Sequence, residues 1–313
     1  LKQFSDGMSL TKFPMYATVT ANVINVFFNY VLIFGVWGFP KMGVVGAGIG
    51  TLIARFVMII LMWYFLNRLD KTKAYIKDLK LFVLEYSMLK KINSLGLPSA
   101  LQMFFEVGLF TAAIWLSGTL GKNPQAANQI ALNLSSMTFM IATGLSVTAM
   151  IRVGNQKGLK RPVELRRIAT SIFIMGLALA ILFALIFLIF NNVLPTFYLD
   201  LNDLTHIADN QNVAEIASSL LIIAALFQIS DSTQVVFLGA LRGLQDVKIP
   251  TLITFFAYWI IGFPVSYFLG DASKYGSSGI WIGLLAGLTA SSIFLYIRFN
   301  YLSKQLIAKQ SKA

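Results

Sequence analysis

The chain has 313 residues, of which 57% are hydrophobic and only 12% charged, against roughly 25% charged in an ordinary soluble domain. That composition excludes a soluble globular fold, and the absence of cysteine excludes disulfides and thiolate metal sites. The formal net charge of +12 raises nucleic-acid binding, but no aromatic residues interleave with the basic ones for base stacking, so no nucleic acid is expected as a partner.

A bilayer crossing needs about 20 apolar residues at 1.5 Å rise each. In chain order, runs of that length are read at Pro14 to Trp37, Val44 to Leu66, Ser94 to Leu120, Gln125 to Met150, Leu165 to Phe190, Glu215 to Ala240, Ile249 to Gly270 and Ser277 to Asn300. The predicted fold class is therefore an all-α polytopic membrane protein with about eight transmembrane helices. Pro98 and Pro264 fall inside spans, where the missing amide donor allows a kink. Gly46 with Gly50 and Gly283 with Gly287 have the spacing that lets helix backbones approach closely.

Charge in the connections sets the expected topology. Lys2 and Lys12 precede the first span, Arg68, Lys71, Lys73, Lys77, Lys80, Lys90 and Lys91 follow the second, and Arg152, Lys157, Lys160, Arg161, Arg166 and Arg167 follow the fourth. Arg242 and Lys248 follow the sixth, and Arg298, Lys304, Lys309 and Lys312 end the chain. The alternate connections hold only Lys41, Lys122 and Lys274, and the longest of them carries Asp200, Asp203, Asp209 and the single histidine, His206. Positive charge favours the cytoplasmic side, so both ends of the chain are expected inside, with the basic loops against anionic membrane lipid.

One constant offset lays Gly7, Lys12 and Pro14 over Gly243, Lys248 and Pro250, and Gly43 and Ala54 over Gly279 and Ala290. Both copies start from a cytoplasmic connection, which predicts parallel halves related by an axis along the membrane normal. On this reading residues 1–93 are the last two helices of one lobe with an interlobe linker, and residues 94–313 are a complete six-helix lobe. About four helices are then expected to be missing from the front, in keeping with a start at Leu1 and no signal-peptide pattern.

Of the thirteen acidic residues, Glu106 and Asp231 alone fall deep within spans, roughly 20 Å and 15 Å from an end by helical rise. A carboxylate at that depth costs on the order of 3 kcal/mol or more unless it faces water, binds a cation or is protonated, so both are candidate functional residues. Their neighbours extend polar stripes. Gln102 lies one turn before Glu106, Gln228 and Gln234 flank Asp231 at three-residue spacing, Asn25 and Asn29 sit one turn apart with Asn22 on the same face, and Gln129 and Asn133 repeat the pattern. Carboxylate and amide oxygens suit Na⁺ or a proton relay better than a transition metal, although Asn and Gln also serve as hydrogen-bonding glue between helices. Arg55, deep in the second span, needs an acidic partner or a substrate contact. Phe104, Phe105 and Trp115 offer either cation–π contacts or ordinary packing.

Four segments carry a family resemblance: NVFFNYVLIFG at 25–35, LPSALQMFFEVGLF at 97–110, AANQIALNLSSMTFM at 126–140 with IRVGNQKG at 151–158, and QISDSTQVVFLGALRGLQDVKIP at 228–250. In that order they resemble the fifth, seventh, eighth and tenth helices of the multidrug and toxic compound extrusion (MATE) family, in its NorM-like bacterial branch. The resemblance implies a twelve-helix fold of two lobes in the bacterial inner membrane, acting as a monomer that exports organic cations or drug-like molecules against inward Na⁺ or H⁺. It implies no cofactor and no enzymatic activity. By the same resemblance the coupling cation, Na⁺ if it is a metal, binds at Glu106 and Asp231 with Asn25 and Asn29. Gln102, Phe105, Gln129, Asn133, Gln228 and Gln234 become candidates for the substrate cavity. Two departures stand out: Asn128 occupies the place of a histidine, and Phe227 that of an aromatic hydroxyl one turn before Asp231. A lipid-linked oligosaccharide flippase of the same superfamily and an inactive fragment remain the alternatives.

Overall fold

The computed structural model describes residues 1–77, 85–199, 207–271 and 275–310. His206, Asp200, Asp203, Lys80, Lys274 and Lys312, which enter the topology reading, lie outside them. The described residues contain helices and no strand, and they divide into two compact units, Leu1–Glu85 and Tyr86–Ala313. Among the described residues, eight helical stretches are long and apolar enough to span a membrane.

The first unit holds α1 (Lys2–Gly7), α2 (Lys12–Phe34), α3 (Val44–Arg68) and α4 (Asp70–Lys77). Helix α2 stops where Gly35 takes a left-handed conformation at φ +69° and returns its amide to the Val31 carbonyl at 2.9 Å. A Cβ at Gly35 would lie 2.8 Å from the Lys41 amide nitrogen, so glycine is required for the turn. Gly46 then sets α3 against the backbone of Leu32, with room for no side chain: a Cβ there would sit 2.7 Å from the Leu32 carbonyl carbon. The spacing of Gly46 and Gly50 thus does what it predicted, since Gly50 meets Asn29 in the same way. Thr72 turns back its hydroxyl to the Leu66 carbonyl at 2.6 Å, satisfying an orphan acceptor at the end of α3.

The second unit is built from α5 (Tyr86–Thr119), α6 (Lys122–Gly158), α7 (Pro162–Ile189), a 3₁₀ turn (Leu194–Tyr198), α8 (Ile207–Gly243), α9 (Lys248–Phe255), a π-helical segment (Phe256–Gly262), α10 (Phe263–Leu269) and α11 (Gly276–Gln310). Several of these outrun the apolar stretches read from sequence. Backbone hydrogen bonding continues through polar and basic flanks for as long as no breaker intervenes. Helices α8 and α11 are central, with 50% of their apolar windows buried against 17–33% in the other spans. Around α8 pack α6, α7 and α11. One apolar cluster gathers Phe227, Trp281, Leu221 and Leu284, and a second gathers Phe237, Leu241, Leu165 and Phe299.

Small residues bring α6 and α8 together. Ser146 donates its hydroxyl to the Val235 carbonyl at 2.7 Å, directly across from Gly239. The two sequence-read prolines behave differently. Pro98 is inside α5, whereas Pro264 opens α10 just after the π-helical segment. With no amide on Pro264, the carbonyl one turn before it loses its α-helical donor, and a wider turn is the local solution.

A buried polar pair ties α6 to α11. The fully buried Trp281 donates its indole N–H to Asn128 Oδ1 at 2.9 Å, and Asn128 Nδ2 has no partner among the described residues. Trp281→Phe is expected to destabilise the protein by about 1–3 kcal/mol, because it strands a second atom of a buried amide. Thermal unfolding in detergent checks this. The double variant Trp281→Phe with Asn128→Leu should recover part of the loss, since removing both partners leaves nothing unsatisfied.

Candidate functional site

Glu106 projects from the middle of α5 and Asp231 from the middle of α8, both within the second unit. Asp231 is 3% exposed and has no hydrogen-bond partner among the described residues. It lies within Coulombic range of Glu106. Glu106 is half-buried, and its Oε2 accepts the Gln102 amide N–H at 2.9 Å. Carboxylates at mid-span are costly to keep charged unless a cation, a proton or a counter-charge offsets them.

The polar stripe on α8 splits between neighbours. Each three-residue step turns about 60° around a helix, so Gln228 and Gln234 face opposite flanks of Asp231. Gln228 accepts the Thr138 hydroxyl of α6 at 2.5 Å. Gln234, fully buried, points instead towards Tyr258 of the π-helical segment and Ser291 of α11. The Tyr258 hydroxyl lies within reach of the Gln234 amide and the Ser291 hydroxyl, and the three form one buried polar cluster. The Tyr258 hydroxyl also lies in the field of both Glu106 and Asp231. The result is two acids with the buried oxygens of Gln234, Tyr258 and Ser291 in their neighbourhood, groups of the kind that suit a hard cation or water.

Other sequence-predicted residues sit elsewhere. Phe105 stacks on Phe255 with ring centres 5.0 Å apart. Gln129 is exposed, and so is Asn133, which accepts the Tyr198 hydroxyl at 3.0 Å. On α2, in the first unit, Asn29 donates to Asn25 Oδ1 at 3.2 Å and Asn25 donates to the Thr51 hydroxyl at 3.3 Å. Asn29 Oδ1 is buried with no donor among the described residues. Arg55 is exposed and forms no ion pair with a described carboxylate.

Two contributors escaped the sequence reading. Tyr258 sits in a stretch of continuous apolar residues, where one hydroxyl carries no periodic signal. Arg242 reads as one more basic residue in a connection, yet its guanidinium donates to Gln102 Oε1, and Gln102 in turn donates to Glu106. Phe227, which stands where the resemblance expects a hydroxyl, packs on Trp281 and Phe110 at 5.6 and 6.1 Å.

A bundle of helices long and apolar enough to cross a bilayer defines a polytopic α-helical membrane protein. The family profile described as MatE matches residues 98–268, more than half of the chain, and the chain belongs to the MATE family. It is 36% identical over 309 residues to multidrug resistance protein MdtK of Proteus mirabilis and 36% identical over 310 residues to MdtK of Photorhabdus laumondii. Each alignment covers 97% of this chain and 66% of the relative, so the chain spans just under two thirds of their length. Among solved structures, a eukaryotic MATE transporter superposes with a TM-score of 0.82 at 19% identity, covering 98% of this chain and 66% of its own. A MATE protein in a bent conformation superposes at 0.79 with 17% identity, covering 96% and 64%. These two likenesses establish the MATE fold.

Proposed function

We propose that the protein is a cation-coupled antiporter of the inner membrane that exports organic cations or drug-like molecules by alternating access. The observation that carries this reading is the placement of Glu106 and Asp231 mid-helix on two different spans of the same unit, with the buried polar groups of Gln234 and Tyr258 nearby. The name of the MdtK relatives, multidrug resistance protein, supports the substrate class. Exchange follows from competition. A carboxylate neutralised by Na⁺ or H⁺ no longer attracts an organic cation, so the two cargoes exclude one another at the same acids.

In this reading the first two spans belong to one lobe and the remaining six to the other, with both ends of the chain cytoplasmic. The Asn25 and Asn29 amides are a separate set of neutral oxygens in the first unit, read as a further place of cation contact. Gln102, Gln228 and Gln234 are assigned to the surroundings of the acids, and Phe105, Gln129 and Asn133 to the lining met by substrate. The monomer is the proposed working unit, and membrane lipid its surrounding partner.

The test is efflux of a fluorescent organic cation such as ethidium from vesicles bearing the full-length protein, under an imposed Na⁺ or H⁺ gradient. Efflux driven by one gradient establishes antiport and names the ion. No efflux under either gradient overturns the reading.

A further inference from the structure

Arg242 and Glu106 lie on different helices and do not touch, yet one side chain connects them. The Arg242 guanidinium, in the last turn of α8, donates to Gln102 Oε1. The Gln102 Nε2 amide donates to Glu106 Oε2 at 2.9 Å. Gln102 is 2% exposed, so its amide dipole is held with the oxygen on the cation and the nitrogen on the anion. Ser99, Leu238, Val247 and Pro250 line the cleft beside Gln102 and Arg242. With Gln102 buried between them, the charge of Arg242 reaches Glu106 less screened than it would be through bulk water.

The guanidinium is also anchored from behind. The connection that follows it is stapled by Lys157, whose Nζ donates to the Leu244 carbonyl at 2.5 Å, and by the Arg298–Asp246 ion pair at 2.8 Å. Across the same cleft the Thr251 hydroxyl donates to the Pro98 carbonyl at 2.7 Å, holding α9 against the turn of α5 that precedes Gln102. A basic residue at a helix C-terminus is ordinarily explained by the helix dipole alone. That account requires neither Gln102 nor an anchored geometry.

We propose that Arg242, acting through Gln102, is the built-in counter-charge of Glu106: it is a positioning residue that holds the carboxylate when the site is empty and sets how strongly a coupling cation must bind to replace it. This rests on the cation-site reading of Glu106 and Asp231. Among the described residues, the charged and titratable groups whose charge acts on Glu106, or is acted on by it, are Arg242 and Asp231 from α8 and Tyr258 from the π-helical segment. Arg242 is the only cation among them. A cation bound at the acids is repelled by Arg242, so the arginine keeps binding weak enough for release on each cycle.

The experiment measures how ethidium efflux from vesicles bearing the full-length protein depends on the concentration of the driving cation, Na⁺ or H⁺. It compares wild type, Glu106→Gln, Arg242→Gln, Arg242→Lys and Gln102→Met, each with its melting temperature. Arg242→Gln is expected to lower the half-saturating cation concentration about tenfold. Gln102→Met, which cuts the path and keeps the charge, should shift it the same way by about threefold, and Arg242→Lys should stay near wild type. If Arg242→Gln does not fold, Gln102→Met carries the test. Half-saturation unchanged in the folded variants while Glu106→Gln is inactive overturns the counter-charge alone. Glu106→Gln behaving as wild type overturns the cation-site reading and this proposal with it.

Discussion

Asp231→Asn should reduce gradient-driven ethidium efflux to the level of protein-free vesicles while leaving the protein inserted and at least as stable to heat. The two halves of this expectation have one cause. Asp231 is 3% exposed and has no hydrogen-bond partner among the described residues, so its charge is a cost the fold bears without local return. The amide has the same shape and no charge. It removes that cost, and with it the attraction for a cation, in the manner of sites where activity and stability trade against each other. Glu106→Gln should also abolish efflux, but with a lower melting temperature, because the Gln102 amide loses a charged acceptor at 2.9 Å and a hydrogen bond to an ion is worth about 1.5–3 kcal/mol. Normal efflux in both variants would remove the acids from the mechanism. A large drop in the melting temperature of Asp231→Asn would instead mean that Asp231 is a structural residue with a partner it must keep.

The second large effect is on folding. Gly283 of α11 lies so close to α10 that a Cβ would sit 2.5 Å from Ser266 Cα, nearer still to the Ser266 amide nitrogen and hydroxyl. Four residues on, Gly287 has Gly262 Cα 3.1 Å from its Cβ position. Gly283→Val therefore has to drive apart two helices whose contact is backbone against backbone, and it also displaces the Ser266 hydroxyl from the Ile280 carbonyl it reaches at 3.0 Å. Overpacking a tight contact costs about 1–3 kcal/mol, and more when the obstacle is main chain. The expected result is loss of the monodisperse peak in detergent chromatography, or a melting temperature lowered by several degrees. Gly144, with nothing within 4 Å of its Cβ position, supplies the control: Gly144→Ala should melt like wild type.

These results bear on what could be read before any coordinates. The spacing of Gly283 and Gly287 was sufficient to mark a close helix contact, because four residues return to the same face of a helix whatever it packs against. That α10 is the neighbour was not contained in the spacing. The stripe of Gln228, Asp231 and Gln234 shows the opposite outcome. Regular spacing suggested one polar face, and the bundle divides it, since α6 takes Gln228 and the Tyr258 and Ser291 side takes Gln234. Arg242 illustrates a further limit. Its place at the end of an apolar run satisfied the charge rule for topology, so nothing in the linear pattern asked for a second role.

From the sequence alone came the membrane class, the number and order of spans, the depth of Glu106 and Asp231 and the family likeness. All of these depend on composition and on distance along a helix, which the backbone repeat of 1.5 Å per residue converts directly into depth. Only the tertiary structure decided which side chains meet: that Gln102 links Glu106 to Arg242, and that Tyr258 lies beside Gln234 and Ser291. The physical reason is that helical periodicity fixes the direction of a side chain relative to its own axis, while the partner in that direction is chosen by how small residues and prolines let neighbouring helices approach.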